Sequence, residues 1–70
     1  MSAAPVDPLG YVLPRVQRVV GVGAEADDSA LAVVTRFLTG GEPDWLRSQP
    51  GLLRLDVLTV CEVLDRRRAA

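Results

Sequence analysis

The segment Pro50–Arg68 constrains the fold more than any other part of the chain, because apolar residues recur along it at the spacing of an α-helix. At about 100° per residue, one set falls on a single stripe with the spacing i, i+4, i+7, i+8 and i+11. This spacing is typical of a helix face that packs on a core. We expect the stripe to pack against a helix of residues 28–39; its members are Leu53, Val57, Val60, Cys61 and Leu64.

A second apolar line on the same segment lies roughly a right angle or more from the first. It consists of Leu52, Leu55 and Val63, interleaved with the polar residues Asp56, Thr59, Glu62 and Arg66. An apolar line framed by charges is typical of a surface that packs against another helix. The sequence therefore predicts that this second line contacts a partner protein.

The length of the chain limits it to one small helical domain over residues 1–70, with residues 1–6 as a flexible leader. A chain of this size buries only about 60% of the surface that its unfolded form exposes, so its stability is marginal without further support. The single cysteine excludes an intramolecular disulfide, and no histidine accompanies it in a zinc site. A hydrophobic fraction of 49% beside 24% charged residues favours the remaining support, a homo-oligomer or a stable complex with another protein.

The net charge and the targeting signals of the chain limit the cellular compartments and the classes of partner that we expect. The net charge of −1 gives no overall attraction to nucleic acid or to an anionic membrane. No run of about 18 apolar residues predicts a transmembrane helix, and residues 1–10 do not resemble a signal peptide. With an unpaired cysteine, we expect a cytoplasmic protein. All eight basic residues are arginine, and isoleucine, asparagine and histidine are also missing, which suggests a GC-rich bacterial genome.

The first apolar element allows two interpretations. Asp7 and Pro8 form a helix start, and apolar residues follow at helical spacing, but Pro14 interrupts the pattern. We expect a kinked helix over residues 8–21, or a turn over 8–13 followed by a helix over 14–21. The valine content of residues 15–22 supports a strand as the alternative. The periodicity favours the helix.

The clearest helix is Asp28–Thr39, which we expect Asp27 or Asp28 to cap and Gly40 to end. Residues 24–26 would be a linker, residues 44–47 a turn or two of helix, and Ser48 or Gln49 the cap before the helix that starts at Pro50. The predicted architecture is all-α, a small array of three or four helices with a long C-terminal amphipathic helix. One broad apolar face is expected on the clearest helix: Ala30, Leu31, Val33, Val34, Phe37 and Leu38.

No set of residues in the chain predicts catalysis. Cys61 has no histidine to activate it, so we expect a small buried apolar residue, or a redox-sensitive thiol if it lies at a dimer seam. The carboxylates fit helix caps and ion pairs, of which Glu62–Arg66 has the favoured i, i+4 order. We therefore expect no enzyme activity, no cofactor and no metal site.

The aromatic and basic residues give two further candidates. Trp45 would be either a lid over the small core or an exposed anchor in an interface. The run of arginines 66–68 suits the negative end of a helix dipole. If the first and last helices lie side by side, Arg15 and Arg18 would join that run in one basic patch.

These observations favour a small protein–protein interaction module, such as an accessory subunit, an adaptor or a docking protein. Its partner residues would be Leu52, Leu55, Val63, Trp45 and Arg66. The alternative is a helix-turn-helix DNA-binding regulator or antitoxin, since Leu53–Asp65 (LRLDVLTVCEVLD) resembles the final helix of Xre-type repressors. The polar recognition helix of that family has no counterpart upstream, where Asp28–Thr39 exposes only Arg36 as a strong base-contacting or phosphate-contacting side chain. We therefore expect nucleic-acid binding less than protein binding.

Overall fold

The computed structural model describes residues 7–69, which form four helices joined by short turns: α1 Pro8–Val20, α2 Ala24–Thr39, α3 Asp44–Arg47 and α4 Gly51–Ala69. This confirms the all-α class and the long C-terminal helix. The predicted leader over residues 1–6 lies outside the described residues. No helix in the described range is long and apolar enough to cross a membrane.

Helix α1 forms without interruption across Pro14. The side chain of Asp7 accepts a hydrogen bond from the Leu9 amide at 3.2 Å, so the predicted N-cap is confirmed. Pro14 removes one backbone hydrogen bond, but Val12 and Val16 on either side of it are fully buried. Their packing holds the segment in one helix, so the expected alternatives of a separate turn or a strand are wrong.

Helix α2 begins at Ala24, four residues before the predicted start. Its N-cap is Gly23, which offers no side-chain hydrogen bond, so the prediction of an aspartate cap is wrong. Extending the helix places Ala26 in the core at 0% exposure, and this burial offsets the missing cap. At the other end Gly40 adopts the left-handed conformation with φ of 70°, which confirms the predicted glycine stop.

Helix α2 packs against both α1 and α4, and α1 also contacts α4. The start of α1 lies beside the start of α4, because Pro8, Leu52 and Leu55 line one cleft. The end of α2 reaches the same place, where Phe37 lines that cleft as well. The short α3 therefore belongs to the connection that returns the chain from α2 to α4.

The central position of α2 follows from its small side chains. Ala26, Ser29 and Ala30 are each at most 1% exposed, so neighbouring helices approach the α2 backbone closely. The predicted broad face is wrong at its edges, because Leu31 and Leu38 are 58% and 70% exposed. The buried core cluster consists of Val12, Val16, Ala26, Ala30, Val33, Val34, Leu46, Leu55 and Leu58.

Candidate functional site

Helix α4 carries apolar residues on two sides, and the structure assigns them in the opposite way to the prediction. The residues that face the core are Leu55, Leu58, Thr59 and Val63. Most of the expected core stripe is exposed instead: Leu53 at 44%, Val60 at 57% and Leu64 at 46%, together with Cys61. Only Val57 of that stripe packs against the core, and it is half-buried. The four exposed residues are called the outer stripe below.

The polar residue Thr59 explains part of this outcome. Its hydroxyl donates a hydrogen bond of 2.7 Å to the Leu55 carbonyl one turn earlier, so the side chain is satisfied inside the core. With Thr59 accommodated, Leu55 and Leu58 bury completely against the other helices, each at 1% exposure. The sequence pattern placed Thr59 among the polar residues beside the second apolar line, so it did not show that this side of α4 faces the core. Leu58 belonged to neither of the two predicted apolar lines.

The predicted partner residues do not form one surface. Leu55 and Val63 are buried inside the chain at 1% and 8% exposure, so the expectation that they are exposed is wrong. Leu52 is 44% exposed and lines a cleft of about 220 Å³. Trp45 precedes α4, whereas Arg66 lies near its end and is paired with Glu62 at 2.6 Å.

Trp45 is 64% exposed, so its interpretation as a lid over the core is wrong. The neighbouring Leu46 fills that position, with only 1% of its surface exposed. The exposed indole matches the other interpretation, an interface anchor, which stays a prediction.

A buried ion pair joins the loop after α2 to the first turn of α4. Glu42 is 4% exposed, and its Oε1 accepts a hydrogen bond of 3.1 Å from Nη1 of Arg54. The Arg54 guanidinium also lies 4.7 Å from the centre of the Phe37 ring. Sequence reasoning missed this group, because the loop and α3 separate Glu42 from Arg54 and no spacing rule connects them.

A second polar group joins α1 to α4. The Tyr11 hydroxyl donates a hydrogen bond of 2.9 Å to Oδ1 of Asp56, and Arg15 stacks 3.5 Å from the centre of the Tyr11 ring. The hydrogen bond to Asp56 raises the pKa of Tyr11 above its ordinary value of 10.0, because it favours the protonated phenol; desolvation adds to the effect. Tyr11 and Asp56 are 45 positions apart, so no local sequence pattern could have found the contact.

The geometry of α4 is the main guide to function. Comparison of this chain with protein-family models, with curated proteins and with solved structures finds no match. A functional proposal therefore starts from the side chains that the fold exposes.

The expected basic patch of five arginines is diluted by carboxylates. Arg15 lies 3.9 Å from Asp56 of α4. Carboxylates also pair with two of the C-terminal arginines, through the contacts Glu62–Arg66 and Asp65–Arg68. This mixed surface is poorly suited to the phosphates of nucleic acid.

The remaining titratable groups do not converge. In the part of the chain that the structure describes, no group of three or more histidine, cysteine or carboxylate side chains could hold a metal ion. Cys61 is exposed on the outer stripe, so the expectation of a buried thiol is wrong. The outer stripe is accordingly the strongest functional candidate.

Proposed function

We propose that this chain is a small non-catalytic protein-interaction module, an accessory subunit or docking protein, that binds through the outer stripe of α4. The observation that supports the proposal is the exposure of four neighbouring apolar or weakly polar residues on the side of α4 that turns away from the core. Burying an apolar side chain that is already half-buried contributes about 1 kcal/mol. The stripe thus offers a few kcal/mol to a partner that covers it.

Charged residues border the stripe. Asp56 lies along one edge, and Asp65, Arg67 and Arg68 surround its C-terminal half. An apolar centre with a charged rim is the usual anatomy of a protein interface. The exposed Trp45 near the start of α4 supports a wider contact, since tryptophan is enriched among residues that dominate binding energy.

The test is capture of binding partners by a tagged copy of the full chain, with and without a charge on the stripe. Val60→Glu places a carboxylate at the centre of the stripe, where Val60 is 57% exposed and its replacement leaves the core intact. Leu31→Glu is the matched control, because Leu31 is 58% exposed but lies on α2. Far-UV circular dichroism should give the same helix content for both variants as for the parent chain.

We expect Val60→Glu to reduce the recovery of specifically bound protein, whether further copies of the chain or other proteins, at least tenfold. Leu31→Glu should retain it. The proposal is wrong if the parent chain recovers no protein of either kind, or if Val60→Glu recovers the same proteins in the same amounts.

A further inference from the structure

The charges on α4 are distributed unevenly along the outer stripe. At the C-terminal end Arg67 forms no ion pair within residues 7–69, while Arg68 makes only a long contact of 3.9 Å with Asp65. In the N-terminal half Asp56 accepts a hydrogen bond from Tyr11 and lies 3.9 Å from Arg15, but it keeps 47% of its side chain exposed. Asp56 and Arg67 are 11 positions apart, so at about 100° per residue they lie on the same edge of the helix. A single edge of α4 therefore carries a carboxylate at one end and a free cation at the other.

This pattern is complementary to itself when a second helix runs in the opposite direction. Resting on the proposed function, we infer that the partner of the outer stripe is a second copy of this chain, packed antiparallel along α4. In a two-fold antiparallel pair each edge of the helix meets the same edge of the other copy. Arg67 of each copy then lies beside Asp56 of the other.

The register that centres the two stripes supports these contacts. With Val60 on the two-fold axis, Arg67 is level with Leu53 of the second copy. It is then three residues, or about 4.5 Å along the axis, from Asp56 of that copy, which an arginine side chain spans. A parallel pair would instead bring the arginines 67 and 68 of the two copies to the same level, where like charges repel.

The size of the contact predicts a weak dimer. A stable interface buries at least about 600 Å² on each partner, and four partly exposed side chains supply only part of that area. The charged edges must supply the rest. We therefore expect a dissociation constant between about 1 and 100 μM, with association that depends on concentration.

Sedimentation velocity of the purified full chain between about 10 μM and 1 mM tests the association. We expect a reversible dimer, an increase of at least tenfold in the dissociation constant for Val60→Glu, and less than a twofold change for the control Leu31→Glu. A short bismaleimide should cross-link Cys61 of the two copies in the parent chain, since Cys61 is one residue from the axis.

A spin-label distance tests the orientation. Ala69→Cys in a Cys61→Ser background places one nitroxide at the end of each α4, away from the stripe. In the antiparallel pair, positions 69 of the two copies are about 27 Å apart along the helix axis. In a parallel pair the separation along the axis would be zero, so the labels would be separated only across the pair, by the roughly 8–10 Å between the helices plus the reach of the two side chains.

The outcomes separate this inference from the proposed function. A parent chain that stays monomeric at 1 mM overturns the second copy as partner, while capture of another protein that is lost in Val60→Glu would leave the proposed function standing. A dimer that Val60→Glu does not weaken overturns both. A dimer with the short spin-label distance overturns the antiparallel arrangement.

Discussion

Two leucines on α4, two positions apart, test which side of this helix belongs to the core. Leu55 is 1% exposed in the core cluster, whereas Leu53 is 44% exposed on the outer stripe. Leu55→Ala and Leu53→Ala remove the same atoms from the same helix. Any difference in stability between the two variants therefore reports the surroundings of the side chain.

The structure predicts a large difference. Truncating a fully buried leucine to alanine costs about 2–5 kcal/mol, because the transfer energy is lost and a cavity remains. At Leu53 the change should stay within about 0.5 kcal/mol, since the side chain is half in water and alanine is a good helix former. A domain of 70 residues has a total stability of about 3.5–10 kcal/mol, so Leu55→Ala removes a large share of it.

Urea denaturation followed by far-UV circular dichroism measures both free energies of unfolding. The protein concentration should be kept at about 1 μM or below, so that dimer formation contributes as little as possible to stability. In thermal denaturation Leu55→Ala should lower the midpoint by at least about 8 °C. If Leu53→Ala costs as much as Leu55→Ala, the assignment of the two faces of α4 is wrong, and so are the proposals built on the outer stripe.

Three further predictions concern polar groups. Ser29 is 1% exposed and its hydroxyl has no hydrogen-bond partner among residues 7–69, so Ser29→Ala should raise the free energy of unfolding in urea by up to about 1 kcal/mol; a loss of stability would contradict this. Glu42→Ala should cost at least about 1 kcal/mol in the same assay, below the usual range for a buried pair because Arg54 keeps 26% of its side chain exposed; an unchanged value would mean that the pair does not hold the loop. Tyr11 is the only tyrosine, so its titration can be followed by absorbance at 295 nm, and the midpoint should lie above 10.0 in the folded chain. Because the folded pKa is raised, this stabilisation is complete below pH 10 and is lost as the pH rises through the folded pKa, and Tyr11→Phe should flatten that loss; a midpoint at or below 10.0 would contradict the hydrogen bond to Asp56.

The sequence predicted the helices and their ends better than it predicted which residues each helix packs against. The helical spacing of apolar residues and the cap at Asp7 gave α1, and Gly40 gave the end of α2. The ion pair Glu62–Arg66 followed from the i, i+4 rule and is confirmed. Each of these is decided within a few neighbouring residues, where local geometry is sufficient.

The start of α2 was wrong for a reason that local signals do not contain. Asp27 and Asp28 are good capping residues, but the helix continues back to Ala24 because Ala26 packs in the core. Tertiary burial thus outweighed the capping preference. The contacts Tyr11–Asp56 and Glu42–Arg54 join elements that only the folded chain brings together.

The sequence by itself determined that residues 50–68 form a helix with two apolar sides. It also indicated that the core of so small a chain needs only one of them. Only the tertiary structure decided which side is inside. The spacing of apolar residues fixes where each one lies around the helix axis, but not which side of the helix faces the core. Two apolar sides are therefore equivalent until another helix covers one of them. Packing of α4 against α1 and α2 buries Leu55 and Leu58 in the core and leaves Leu53 and Val60 facing outward.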